Sequence, residues 1–179
     1  RICYTFSQSI QKGASPMWTK QAVYRLLDEA GLPHEKIEHP AVFNMADLNQ
    51  LHLPHPEADA KNLFVRDDKK RNYYLITVHG EKRVDLKAFR QTHHTRPLSF
   101  AAPEELQEKL GLAPGAVTPL GLLNDETRQI PLFLDSDFAP EGRLICVHPN
   151  ENTATVLLQA RDLVSLLKKA GHPVEWADL

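Results

Sequence analysis

The sequence predicts a single α+β domain built on a curved, largely antiparallel sheet surrounded by helices. Three observations lead there. The chain has 179 residues, 42% of them hydrophobic and 25% charged, enough to bury one sizeable core. Strand-like runs and amphipathic helical runs follow one another irregularly, without the strict alternation of a doubly wound parallel sheet. No internal repeat, low-complexity tract or linker divides the chain.

Residues 1–16, RICYTFSQSIQKGASP, precede Met17 and carry no helical periodicity and no apolar core of a secretory signal. They read as a leader of uncertain origin, with the domain spanning residues 17–179. From Thr19 the spacing of Val23, Leu26, Leu27 and Ala30 predicts a helix, capped by Thr19 and ended by Gly31 and Pro33. Glu35–His39 reads as a short strand, and Ala46, Leu48 and Leu51 as a short helix. A loop rich in proline and histidine then leads to Lys61. Asn62–Asp67 and Tyr73–His79 are strand-like, joined by the polar turn Asp68–Asn72. A further short pairing is expected at Lys82–Val84. Asp85 caps a helix carrying Leu86 and Phe89. Ser99–Ala101 reads as strand, and Pro103, Glu104 and Glu105 open a helix that buries Leu106 and Leu110 and ends at Gly111. Gly111–Asp125, rich in glycine and proline, is a shaped loop. Ile130–Leu134, Leu144–His148 and Thr153–Gln159 are strands. The helix Ala160–Ala170 turns Leu163, Leu166 and Leu167 inward and is stopped by Gly171 and Pro173.

A net charge of −2 argues against broad, charge-driven binding to nucleic acid, while leaving room for a local grip on a few phosphates. No apolar run reaches the roughly 20 residues of a membrane helix. Two cysteines, Cys3 and Cys146, provide neither a disulfide framework nor a metal cluster, so a reducing cytoplasm is the expected compartment. There is no GxxxxGK[ST] loop, no GxGxxG turn and no GxSxG elbow. None of the nine histidines lies in an HExxH pattern; His93 and His94 are adjacent, and His52 and His55 sit in a proline-rich loop. No metal site is expected.

Three features remain. Lys61 and Asn62 stand at the start of an apolar strand, although the hairpin already has Lys69, Lys70 and Arg71. GAVTP, Gly115–Pro119, can present backbone N–H groups to a substrate oxygen. His148-Pro149-Asn150 follows a strand. Taken singly, each has an ordinary reading: a solvated lysine, a tight loop, a satisfied structural histidine.

Together with their neighbours they form a pattern. KNLFVRD, YYLITVHGEKRVDLKAF, LSFA, GAVTPLGLLND and CVHPNENTATV, in this order, resemble the YbaK-like family of aminoacyl-tRNA deacylases. The nearest likeness is to the freestanding relatives of the prolyl-tRNA synthetase editing insertion, called PrdX or ProX, which include the alanyl-tRNA(Pro) deacylases. The likeness runs from about Thr19 to Leu179.

The resemblance implies hydrolysis, in trans, of alanine mischarged onto tRNA(Pro), sparing Pro-tRNA(Pro). It implies no cofactor. The partner is the acceptor 3′ end of an aminoacyl-tRNA, with prolyl-tRNA synthetase as a further candidate partner; the oligomeric state is not implied. By the same resemblance Lys61 is the family lysine needed for activity, Gly115 belongs to the loop that steadies developing charge, and His148 shapes the aminoacyl pocket without being a general base. Asn62, Ala116, Val117, Thr118 and Pro119 are substrate-binding positions. Lys82-Arg83 and Lys168-Lys169 are secondary candidates for tRNA contact, with a solvated surface as their ordinary reading. Two alternatives stay open: a noncatalytic module that binds aminoacyl-tRNA, and a deacylase for another small amino acid, cysteine or serine.

Overall fold

The computed structural model describes residues 17–43, 47, 51, 54–80 and 82–179. The expected leader, and Ala46 and Leu48 of the expected second helix, lie outside the described residues. In chain order the elements are α1 (Lys20–Glu29), β1 (His34–Glu38), β2 (Ala60–Asp67), β3 (Tyr73–His79), α2 (Leu86–His93), β4 (Leu98–Phe100), α3 (Pro103–Leu110), β5 (Leu132–Asp135), β6 (Leu144–Val147), β7 (Ala154–Gln159), α4 (Ala160–Lys169) and β8 (Val174–Ala177). Short 3-10 turns occupy Pro56–Ala58, Pro119–Asn124 and Ser136–Phe138.

The single α+β domain holds, and its strand pairing is largely antiparallel, but the strands divide into two sheets. One has the order β1-β7-β6 and the other β4-β2-β3-β5-β8. The β3–β5 and β5–β8 pairs are parallel, and the remaining described pairs are antiparallel. The main core fills the space between the sheets. Phe64, Leu75, Leu132 and Leu134 come from the larger sheet, Ile145, Val147, Val156 and Leu158 from the smaller. Helices α1, α3 and α4 close this core with Val23, Leu27, Leu110, Leu163 and Leu167. On the outer face of the larger sheet, Val65, Ile76, Val78 and Phe133 pack against Phe89 of α2. Strand alternation makes this division: odd residues of β2 face α2 and even ones face the main core.

Local chemistry sets the ends. Thr19 Oγ1 accepts the Ala22 N–H at 3.4 Å, and Asp85 accepts the N–H groups of Lys87 and Ala88 at 2.8 and 3.1 Å. In the β2–β3 hairpin, buried Asp67 accepts from the Lys69 and Arg71 N–H groups at 3.0 Å and from Asn72 Nδ2 at 2.7 Å. Although burial works against it, this set of donors holds the Asp67 carboxyl below its ordinary pKa.

Two local expectations are corrected. Residues 82–85 form no strand, because the chain turns away at Gly80 and Lys82 is tied instead to the end of β5. The last helix stops before Gly171 as expected but does not close the chain: Val174–Ala177 adds a parallel edge strand beside β5. The interior of the Gly111–Asp125 loop is a 3-10 turn anchored by buried Leu112, Leu120 and Leu122. Among the described residues no helix is long and apolar enough to cross a membrane.

Candidate active site

The smaller sheet gathers one group of residues at the exit of β6 and the entry of β7. The Thr118 hydroxyl, fully buried, donates to the His148 carbonyl at 2.7 Å and stitches the GAVTP loop to the strand end. His148 Nδ1 donates to the Ala154 carbonyl at 2.8 Å. That bond fixes the tautomer and leaves Nε2 as an acceptor. Burial, with a smaller push from His39, holds the His148 pKa below the ordinary imidazole value despite the opposing pull of the Ala154 carbonyl, so the ring is neutral at pH 7. The His39 ring lies 6.3 Å away, its Nε2 paired with Thr155 Oγ1 at 2.9 Å.

The loop is shaped by Gly115, whose φ of +85° is a left-handed conformation. The Ala116 N–H closes the turn on the Ala113 carbonyl at 3.0 Å, so Ala116 is not a free donor. Pro119 has no N–H and opens the 3-10 turn. Among the described residues, the N–H groups of Gly115, Val117 and Thr118 donate to no protein group. N–H groups left without a protein acceptor on one bend can donate to an oxyanion.

Facing Gly115 are two residues that the sequence reading did not single out. A Cβ at position 115 would lie 3.1 Å from Phe43 Cδ1 and 3.4 Å from Asn152 Nδ2. Val42 and Asn152 are cross-linked, the Val42 N–H donating to the Asn152 carbonyl at 3.0 Å and Asn152 Nδ2 to the Val42 carbonyl at 2.9 Å. Phe43 is 67% exposed. The signal for it was the apolar pair Val42-Phe43 after His39-Pro40, a poor fit to a polar loop.

Lys61 and Asn62 approach from the other sheet. The start of β2 runs beside β6, with Ala58 packed on Cys146 and Leu157. The Asn62 side-chain carbonyl accepts from buried Thr77 Oγ1 at 2.7 Å. Strand alternation sets Lys61 on the opposite face, and its half-buried ammonium donates to the Lys82 carbonyl. Among the described residues no hydrogen bond or ion pair joins Lys61 to the GAVTP loop. The structure therefore brings His148, Gly115, Thr118, Phe43 and Asn152 together, and sets Lys61 on the other face of β2, against the Lys82 carbonyl. Among the described residues no group of three His, Cys, Asp or Glu side chains could hold a metal ion.

A family model described as the aminoacyl-tRNA editing domain matches residues 39–166, the segment that holds all of these side chains. The chain belongs to this family. The prolyl-tRNA editing protein ProX of Acetoanaerobium sticklandii is 36% identical over 163 residues, covering 91% of this chain and 99% of that protein. Prolyl-tRNA synthetase associated domain-containing protein 1 of Bos taurus is 32% identical over 157 residues, covering 86% and 91%. A crystal structure of a candidate trans-editing enzyme for prolyl tRNA synthetase superposes with a TM-score of 0.66 at 27% identity, covering 93% of this chain and 98% of that one. As a member of the editing-domain family, the protein is an enzyme of the aminoacyl-tRNA deacylase class.

Proposed function

We propose that this protein is a trans-editing deacylase that hydrolyses Ala-tRNA(Pro) and spares Pro-tRNA(Pro). The observation that carries the reading is the bend at Gly115–Thr118, with its unpaired N–H groups stitched to a neutral histidine. The similarity to ProX supports prolyl-tRNA as the class acted on.

In this mechanism the aminoacyl ester sits over the bend. Water attacks the carbonyl carbon and a tetrahedral oxyanion forms. The N–H groups of Gly115, Val117 and Thr118 stabilise that oxygen in a site that needs no reorganisation. The C–O bond to the terminal ribose then breaks, and the ribose oxygen leaves with a proton, giving free alanine and deacylated tRNA. His148 orients the aminoacyl group through its Nε2 lone pair. Lys61 neutralises the anionic 3′ end, its ammonium keeping one N–H on the Lys82 carbonyl and turning another to the ligand. Asn62, on the other face of β2, acts through its bond from Thr77 by holding the strand in place.

Selection is by size. A synthetase pocket for proline cannot strongly exclude the smaller alanine, because each missing methylene is worth only about 1–3 kcal/mol. A second, tighter cleft inverts the test. Phe43 stands over Gly115, where a carbon added to the glycine would lie 3.1 Å from the phenyl ring.

The deciding experiment presents the protein with tRNA(Pro) charged with alanine, proline, cysteine or serine. Release of alanine with retention of proline is expected. Preferential release of cysteine or serine would reassign the substrate. Protection of the ester in every case would overturn hydrolysis in favour of sequestration.

A further inference from the structure

Lys82 is not a free surface cation, although its side chain is 35% exposed. Its ammonium is 2.9 Å from Asp135 Oδ1 and 2.9 Å from Asp137 Oδ2. The Asp135 side chain is 0% exposed, and its other oxygen accepts the His79 N–H at 3.1 Å. Asp135 Oδ1 also accepts the Asp137 N–H at 3.2 Å. The Lys82 N–H donates to the His79 carbonyl at 3.1 Å, and the Gly80 N–H to the Asp59 carbonyl at 2.7 Å. The turn leaving β3 is thus fastened to the end of β5 and to the start of β2. The carbonyl that this fastening fixes is the one that receives the Lys61 ammonium.

We infer that the Lys82–Asp135 ion pair is a positioning device for Lys61: by locking residue 82 to the end of β5, it holds the carbonyl that keeps the catalytic ammonium in its working place. The inference rests on the assignment of Lys61 to the deacylation site. A buried carboxylate at a strand end is costly unless paired, so the pair has a structural share as well. Its link to catalysis is the backbone of residue 82, which joins the paired side chain to the carbonyl. With both aspartates on its ammonium, Lys82 is not available to grip tRNA phosphate.

The test uses single-turnover deacylation of Ala-tRNA(Pro) by Lys82→Met, Lys61→Met and the double variant, with melting followed in parallel. Because Lys82→Met strands Asp135, the paired variant Lys82→Met/Asp135→Asn is included to keep a folded protein. A displaced ammonium costs roughly 10- to 100-fold in the chemical rate, since small misplacements are worth up to that. Binding of the tRNA should change little. The double Lys61→Met/Lys82→Met should be no slower than Lys61→Met alone, and Lys82→Arg should recover part of the loss. Full turnover in folded Lys82→Met/Asp135→Asn, or losses that multiply in the double variant, would overturn the inference while leaving the deacylase reading intact. Unchanged turnover in Lys61→Met would overturn the inference together with the role given to Lys61, while deacylation itself would stand.

Discussion

Gly115→Ala adds one carbon, and its cost can be worked out. The backbone there has φ +85°, where an L-residue is strained by about 1–2 kcal/mol. The new Cβ would also stand 3.1 Å from Phe43 Cδ1 and 3.3 Å from Phe43 Cα. The phenyl ring can swing, but the Cα cannot, because Val42 is pinned to Asn152. Overpacking of this kind adds about 1–3 kcal/mol, for a total of about 2–5 kcal/mol. Gly142→Ala is the control: its φ is +76°, but no atom lies within 4 Å of the added carbon. It should lose only the backbone share, about 1–2 kcal/mol. For a chain of this size each kcal/mol is worth about 2–4 °C, so calorimetry should find Tm lowered by about 4–20 °C in the first variant and about 2–8 °C in the second. Deacylation of Ala-tRNA(Pro) should separate them further. A shifted bend loses its aim on the oxyanion, a fall of about 100-fold in kcat/KM, whereas Gly142→Ala keeps wild-type turnover. Equal melting losses with unchanged turnover in both would refute the placement of the cleft.

Lys61→Ala should keep the fold and lower deacylation by about 100-fold, as for loss of a preorganised charge; circular dichroism and single-turnover rates check both halves. His148→Ala should widen the pocket and raise hydrolysis of Pro-tRNA(Pro) relative to Ala-tRNA(Pro) by about tenfold, and an unmoved ratio would remove His148 from the pocket. Thr118→Val keeps the shape but leaves the His148 carbonyl without its donor, a loss of about 1–3 kcal/mol measurable by urea unfolding; wild-type stability would mean that the stitch contributes nothing. His148 and His172 are both held below the ordinary imidazole value by burial, so the unfolded chain binds more protons than the folded one as the pH drops. Their share of stability is complete above about pH 6.5 and is lost as pH falls below that toward their folded values. Thermal melts from about pH 7.5 down to about pH 5 should show this decline, reduced in His172→Gln; a flat profile would contradict it.

What the sequence determined by itself is local. The strand-like run Tyr73–His79, the capping hydroxyl of Thr19, the Asp85 cap and the inward leucines of α4 all follow from contacts within a few residues, and they fall where the pattern places them. The motifs from KNLFVRD to CVHPNENTATV were enough to name a family. Tertiary structure decided what depends on distant partners. The four residues Val174–Ala177 are too short for a periodicity signal and become a strand only because β5 offers an open edge. Phe43 and Asn152 meet Gly115 across spans of sequence that no local pattern can bridge. Lys82, written beside Arg83 as one more basic residue, is committed by a buried aspartate 53 positions away. Short-range order is encoded in neighbouring side chains; a site is encoded in which surfaces the core forces together, and that is settled only when the whole chain has closed around it.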